Sequence, residues 1–209
     1  MDIEGKVALI TGAGQVEGIG YAIAQELLRK NAKGVAILDI HDGMGQDAKN
    51  ELQKQFRKAV VIYVHCDVSS KSSLEEAFEK VKTHFGRLDI VCNNAGILNE
   101  DNWELTLNIN LMGTIRGTYL ALEHMGVNYG GSGGVVINTA STAGVMTTSL
   151  LSVYGATKHA IVAFTRNVAD NNKFKKNKVR VSAICPAKVD TPIQDFDRTM
   201  IPDFEEFKY

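Results

Sequence analysis

In the stretch YGATK, Tyr154 and Lys158 lie four residues apart in a segment with helical periodicity, which stacks them on one helix face a turn apart. A phenol with an ordinary pKa of about 10 is ionised to only about one part in a thousand at pH 7, so an unassisted tyrosine is a poor base. Neighbouring positive charge changes this. Favouring phenolate by about three pKa units corresponds to about 4 kcal/mol, and it would leave Tyr154 competent to take an alcohol proton. The same spacing occurs on ordinary helices, so the pair alone carries little weight; the elements that position it carry more.

The stretch TGAGQVEGIG, Thr11 to Gly20, holds four glycines in ten residues, directly after the apolar run VALI and directly before the helical pattern YAIAQELL. Glycine costs backbone entropy, so such a corner needs a reason for the missing side chains. A bound pyrophosphate supplies one: a helix opening near Gly18, with Ile19 and Gly20 in its first turn, offers free N–H groups and a partial positive charge. A glycine-rich turn is weak evidence by itself, but its place between the first strand and the first helix is the context that such binding requires. Gly14, Gly18 and Gly20 read G-x-x-x-G-x-G, and counting from Gly12 leaves two residues in excess. Either Ala13 and Gly14 extend the turn, or Val16 and Glu17 bulge out of it.

The second apolar run ends in Asp39, nineteen residues beyond Gly20, where a carboxylate can accept hydrogen bonds from adenosine ribose hydroxyls. A 2′-phosphate there would meet like charge, a repulsion of about 4 kcal/mol at about 4 Å and an effective dielectric near 20. Ile40 and His41 follow, not arginine. The reading is NAD rather than NADP, with a turn or helix N-cap as the structural alternative for Asp39. The cationic ring of oxidised NAD would join Lys158 in favouring the Tyr154 phenolate.

Six short apolar runs read as strands: 6–10, 34–39, 59–66, 88–93, 134–138 and 179–185. Their near-continuous apolar character means that both faces are covered. Helical patterns at 19–30, 47–56, 72–86, 103–125 and 152–171 separate them. Strand and helix in alternation predict an α/β doubly wound parallel sheet with its ligand cleft at the carboxyl ends of the strands. One domain over residues 1–191 is expected, with 192–209 beginning a lid or forming a frayed tail. The chain of 209 residues carries 23 basic and 24 acidic side chains, so no global field draws it to nucleic acid or a membrane surface. Cys66, Cys92 and Cys185 lie far apart with no CxxC, so no metal site is expected. A reduced, cytoplasmic protein without a membrane span is the expectation. The basic cluster KFKKNKVR (173–180) reads as a solvated loop, and Trp103 as the anchor of a helix start.

The motifs TGAGQVEGIG, NNAG (93–96), LNINL (107–111), NTASTAG (138–144), YGATK (154–158) and CPAKVDT (185–191) occur in this order, and together they resemble the classical short-chain dehydrogenase/reductases. The resemblance runs from Lys6 to about Thr191. Within that family the pattern is most similar to the branch of NAD-dependent 15-hydroxyprostaglandin dehydrogenases and insect-type alcohol dehydrogenases, through HFGRLDIVCNNAG, NWELTLNINL and KHAIVAFTR. It implies a Rossmann fold and hydride transfer between NAD and a secondary alcohol or ketone. Ser141 is then expected to hold the substrate oxygen, Tyr154 to act as acid/base, and Asn110 to keep a water in line with Lys158. Lys158 would also bind the nicotinamide ribose beside Tyr154. Gly12, Gly14, Gly18, Ile19 and Gly20 would cradle the pyrophosphate, and Asp67 and Val68 would meet the adenine. Asn94 and Gly96 would lie beneath the cofactor, and Thr191 would hold the carboxamide. Bland readings stand beside these: Asn110 as a helix bend, Ser141 as a turn cap, NNAG as a strand-to-loop corner. The long helices over 104–125 and 154–170 imply a homodimer.

The sequence departs from the family pattern in three places. The nucleotide loop carries its two-residue excess. CPA replaces CPG, so Ala187 stiffens the turn that presents Thr191. The family normally continues for about fifty further residues, and their lack would leave VRVSAIC an exposed sheet edge and remove a pocket wall. Leu150 and Leu151, with Val145, Met146 and Val153, suggest an apolar pocket for a lipid-like alcohol such as a hydroxy fatty acid, a prostaglandin or a terpenol. Two other functions stay open: a catalytically weak NAD-binding regulatory or structural relative, and an NADPH-dependent carbonyl or acyl reductase. The intact Ser141, Tyr154 and Lys158 set argues for an enzyme.

Overall fold

The six apolar runs pair into one parallel sheet: β1 (Val7–Thr11), β2 (Gly34–Asp39), β3 (Val60–His65), β4 (Ile90–Asn93), β5 (Gly134–Thr139) and β6 (Val179–Ile184). Their order is β3-β2-β1-β4-β5-β6. The structure is a computed structural model that describes residues 2–191 and 193. The expected lid or tail over 192–209, and with it any further strand, therefore lies outside the described residues apart from Ile193.

Alternate residues of each central strand serve different cores. Val7 and Leu9 of β1 pack with Leu74, Phe78 and Leu122, while Ala8 and Ile10 pack with Ala24, Leu28 and Leu52. The first core is covered by α3 (Lys71–Phe85), α5 (Thr114–Met125) and α6 (Ser152–Asp170), the second by α1 (Ile19–Arg29) and α2 (Asp42–Gln55). This two-sided burial is why the strands read as continuous apolar runs. The expected doubly wound α/β sheet forms, and the order reverses between β1 and β4, which opens a crevice at their carboxyl ends.

Three local features differ from expectation. The helical pattern over 103–125 is a short α4 (Trp103–Thr106), a π-helical stretch (Leu107–Gly113) and α5, joined through right-handed helical residues at each junction. Helix α2 starts at Asp42, five residues before the expected start, despite two glycines. Gly45 lets the Tyr63 ring lie where a Cβ would be 2.1 Å away, and the Tyr63 hydroxyl donates to Asp42 Oδ1 (2.9 Å) and to the Asp39 carbonyl (3.1 Å). The basic cluster expected as a solvated loop instead includes α7 (Asn172–Lys176), capped by Asn171 and anchored by the buried Phe174.

Among the described residues, no helix is long and apolar enough to cross a membrane. β6 is the last strand of the described sheet, with Val179 and Val181 buried and Arg180 and Ser182 exposed.

A buried polar network ties the sheet to α5 and α6. The Asn93 side-chain amide donates to Asn138 Oδ1 (2.9 Å) and Thr118 Oγ1 (3.2 Å), and Asn138 donates in turn to Thr165 Oγ1 (3.0 Å). Gly117 makes room for it, since a Cβ there would lie 2.1 Å from Asn93 Oδ1. Gly117→Ala is therefore expected to lower stability by about 2–3 kcal/mol, read by urea unfolding, because overpacking and a displaced buried amide act together. A variant as stable as the parent would show that the network has slack.

Candidate active site

The crevice at the carboxyl ends of the strands is a cleft of about 670 Å³. At its first corner Gly12 has φ +64, and a Cβ would approach Ala95 Cα to 2.7 Å. A Cβ on Gly20 would lie 2.4 Å from the Gly12 carbonyl oxygen and 2.7 Å from Asn94 Nδ2. The Gly14 N–H donates to Asp39 Oδ2 at 2.9 Å, and a Cβ there would crowd Asp39 Cγ at 2.8 Å. Gly12, Gly18 and Ile19 line the cleft, whereas Gly14 and Gly20 lie behind that wall and serve backbone packing. The two-residue excess is taken up by an outward bulge: the Gly18 N–H donates to the Gln15 carbonyl, leaving Val16 and Glu17 exposed. Gly18 gives α1 no side-chain cap, so the first-turn N–H groups remain available at the cleft edge.

Asp39 is held by two backbone N–H groups, Gly14 on Oδ2 and His41 on Oδ1 (3.1 Å). It is both the turn residue of its alternative reading and a cleft wall. Asp67 and Val68 also line the cleft; Asp67 Oδ1 accepts from the Ser69 N–H (2.8 Å) and hydroxyl (2.7 Å), leaving Oδ2 for a ligand. Asn94 stitches three strand ends together. Its amide donates to the Thr11 and Gly12 carbonyls, and its oxygen accepts from Thr139 Oγ1. Gly96 lies on the floor, where a Cβ would be 3.3 Å from Asn110 Oδ1 and 3.6 Å from Lys158 Nζ.

Ser141, Tyr154 and Lys158 converge on the opposite wall. Ser141 is extended and caps a 3-10 turn, Thr142–Gly144, by accepting from the Ala143 N–H (3.1 Å), so its bland reading holds as well. The same hydroxyl favours ionisation of the Tyr154 phenol. Lys158 is buried, donates to the Thr139 carbonyl at 2.9 Å, and places Nζ 5.4 Å from the centroid of the Tyr154 ring. Asn110 is fully buried, and its side chain clamps the backbone of Ile97, accepting from its N–H (2.8 Å) and donating to its carbonyl (2.9 Å). It does not line the cleft. Thr191 lines the cleft and also lies beside Gly18 and Ile19 at the start of α1, and the exposed Lys188, which has no signal in the sequence, lines the cleft too.

Burial sets the resting charges. In the chain alone it pushes the Tyr154 phenol above its ordinary value, against the pull of Ser141; the depression expected of Tyr154 belongs to the state with the cationic ring bound. Burial pushes the Lys158 ammonium down to about 8.

Of the five apolar residues expected to form a pocket, Leu151 lines the cleft; Val145 and Met146 are exposed beside it. Ile97, Leu98 and Ile109 are among the other apolar residues that line it, and Trp103 is half-exposed at the start of α4. A residue with no local signal is Glu100: its carboxylate accepts from the Val153 and Tyr154 N–H groups, each at 2.9 Å.

The sequence matches the short chain dehydrogenase family over residues 6–201. It is 49% identical over 193 residues to a Mus musculus protein, 15-hydroxyprostaglandin dehydrogenase [NAD(+)], covering 92% of this chain and 71% of the mouse protein. It is 34% identical to alcohol dehydrogenase 2 of Ceratitis cosyra, covering 93% of this chain and 74% of that protein. The fold superposes on a short chain dehydrogenase/reductase from Burkholderia phymatum solved in complex with NAD, with TM-score 0.85 and 27% identity, over 97% of this chain and 74% of that one.

The Lys158 shift has a consequence for stability. The folded state binds its proton less tightly than an ordinary lysine at 10.5, so the penalty is full below about pH 8 and is relieved as pH rises toward 10.5. Urea unfolding of the parent and Lys158→Met at pH 7 and pH 10 should show the parent gaining about 2.5 kcal/mol on the variant. Parallel pH dependences would refute this.

Proposed function

This chain belongs to the short-chain dehydrogenase family, and on that premise we propose that it is an oxidoreductase moving a hydride between NAD and an apolar secondary alcohol or its ketone. The observation that carries the reading is the convergence of Ser141, Tyr154 and the buried Lys158 on a cleft whose other end is fitted to a dinucleotide. The fit lies in the donor set. The uncapped N-terminus of α1 beside Gly12 and Gly18 suits a pyrophosphate, and the Asp39 carboxylate suits ribose hydroxyls. Asp67 and Val68 suit the adenine end, and Lys158 and Thr191 the nicotinamide end. Bound NAD supplies the hydride acceptor and a cationic ring that favours phenolate.

The chain's own residues handle the proton. Ser141 holds the substrate hydroxyl beside the Tyr154 oxygen, Tyr154 takes the hydroxyl proton, and the Lys158 ammonium stabilises the phenolate that receives it. Asn110 works at one remove: clamping Ile97 fixes the loop that forms the apolar wall. That wall of Ile97, Leu98, Ile109 and Leu151 gives no partner to a sugar, and supports a lipid-like substrate such as a hydroxy fatty acid or prostaglandin. Asp39, already oriented by two backbone donors, opposes an NADPH-dependent reductase through like charge.

Tyr154→Phe is expected to lower kcat at least about 10³-fold with hydroxy fatty acids while NAD affinity, read by fluorescence titration, stays within about twofold. Turnover surviving in the variant would remove Tyr154 from the proton path. NAD should bind at least about 100-fold more tightly than NADP in a side-by-side titration, and equal affinities would overturn the role of Asp39. The homodimer is also a proposal: Leu105, Met112 and Tyr119, spaced seven residues apart along the long helix, are each more than a third exposed. Light scattering should give twice the chain mass, and a monomer mass at micromolar concentration would end that reading.

A further inference from the structure

The helix that carries Tyr154 and Lys158 enters the cleft with no cap of its own. Leu151 precedes α6 and offers no side-chain oxygen. The N–H groups of its first turn are met instead by Glu100, more than fifty residues earlier in the chain: Oε2 accepts from Val153 and Oε1 from Tyr154, each at 2.9 Å. A carboxylate placed across the positive end of a helix makes charge-assisted bonds, and two of them fix direction as well as distance.

Glu100 is rigidly carried. The loop between β4 and α4 is clamped at Ile97 by Asn110. At Asn99 it is held twice, by the Thr106 hydroxyl on the Asn99 carbonyl (2.6 Å) and by the Asn102 N–H on the Asn99 side chain (2.8 Å). The same loop supplies Ile97 and Leu98 to the apolar wall of the cleft. Glu100 is thus a strut between the wall that faces substrate and the first turn of the helix that holds the acid/base.

We propose that Glu100 is a positioning residue for proton transfer: its bidentate carboxylate fixes the first turn of α6, and through it the place of the Tyr154 phenol relative to Ser141. Ser141 belongs to a different element, the turn after β5, which packs on α6 a turn further along, at Lys158, so Glu100 supplies the hold at the first turn, where the phenol is carried. A displacement of about 1 Å at a reacting group can lower a rate by about 10²-fold, which is the scale of effect expected. The inference rests on Tyr154 acting as the acid/base.

The test uses the full chain with NAD and a hydroxy fatty acid, and compares Glu100→Gln and Glu100→Ala with the parent. Glutamine keeps one acceptor oxygen, so its kcat should fall about tenfold and that of alanine about 100-fold, with KM for NAD within about twofold in both. Amide hydrogen exchange should quicken at Val153 and Tyr154 and stay unchanged from Ile161 onward. Unchanged kcat in both variants would overturn the proposal. So would loss of NAD affinity together with faster exchange along the whole of α6, which is the signature of a merely structural cap. Should the parent itself turn over no secondary alcohol, the proposed activity fails, and the exchange pattern still decides whether Glu100 holds the start of α6.

Discussion

A buried ammonium is the constraint around which this structure is organised. Lys158 sits within the core side of α6 with almost no solvent contact, and transfer of such a charge out of water is strongly unfavourable unless the surroundings answer it. The Thr139 carbonyl at the end of β5 is the partner that the structure provides at 2.9 Å. Holding that pair requires β5 and α6 to meet closely, and Gly144 shows how closely: a Cβ there would lie 2.6 Å from the Lys158 carbonyl oxygen. The turn that follows β5 therefore presses directly on α6. It is the same turn that Ser141 opens, so the hydroxyl and the ammonium are placed by a single packing contact. The Thr142 N–H then donates to the Pro186 carbonyl at 2.9 Å, which fastens the turn to the loop after β6.

Adjacent asparagines extend this logic to the middle of the sheet. Asn93 and Asn94 follow one another at the end of β4, where successive side chains point to opposite faces. Asn93 goes under the helices, into the network that reaches Thr118 on α5 and Thr165 on α6. Asn94 goes to the strand ends, where it binds the carbonyls of Thr11 and Gly12. One residue anchors α5 and α6 and the next anchors the glycine corner, so the two halves of the cleft share a common datum at the point where the strand order reverses.

What the sequence made legible follows from range. Strands buried on both faces announce themselves as apolar runs, and the Tyr154, Lys158 and Ser141 set lies within eighteen residues of one another in order. The glycine corner was legible as a corner but not in its detail. Its glycines admit other backbone atoms and the Asp39 carboxylate as much as a ligand, and only the three-dimensional approach of Ala95 and Asn94 reveals this. The early start of α2 depends on Tyr63 lying over Gly45, a contact between separate elements. Glu100 left no local trace, because no short motif joins a loop carboxylate to a helix end more than fifty residues later. Residues near Tyr154 suggest the apolar wall in the sequence, whereas Ile97 and Leu98 reach it from the loop that Asn110 clamps, far from Tyr154 in the chain.

The opposed shifts at the site bear on why, in the proposed reaction, a dinucleotide cleft and a tyrosine base would belong together. Burial favours the neutral form of the phenol and weakens the hold of Lys158 on its proton, so the protein alone moves the pair away from the state that accepts an alcohol proton. Nζ lies 5.4 Å from the centroid of the Tyr154 ring, and a unit charge at about that range from a phenolate contributes about 3 kcal/mol at an effective dielectric near 20. Ionising an ordinary phenol at pH 7 takes about 4 kcal/mol, and burial adds to that demand. That contribution is comparable with the demand, so a second positive charge entering the cleft that Tyr154 lines would add to it. On the proposed reading, an oxidised nicotinamide would bring that charge in the same state in which it can accept hydride, and so would strengthen Tyr154 as a base when the acceptor is bound.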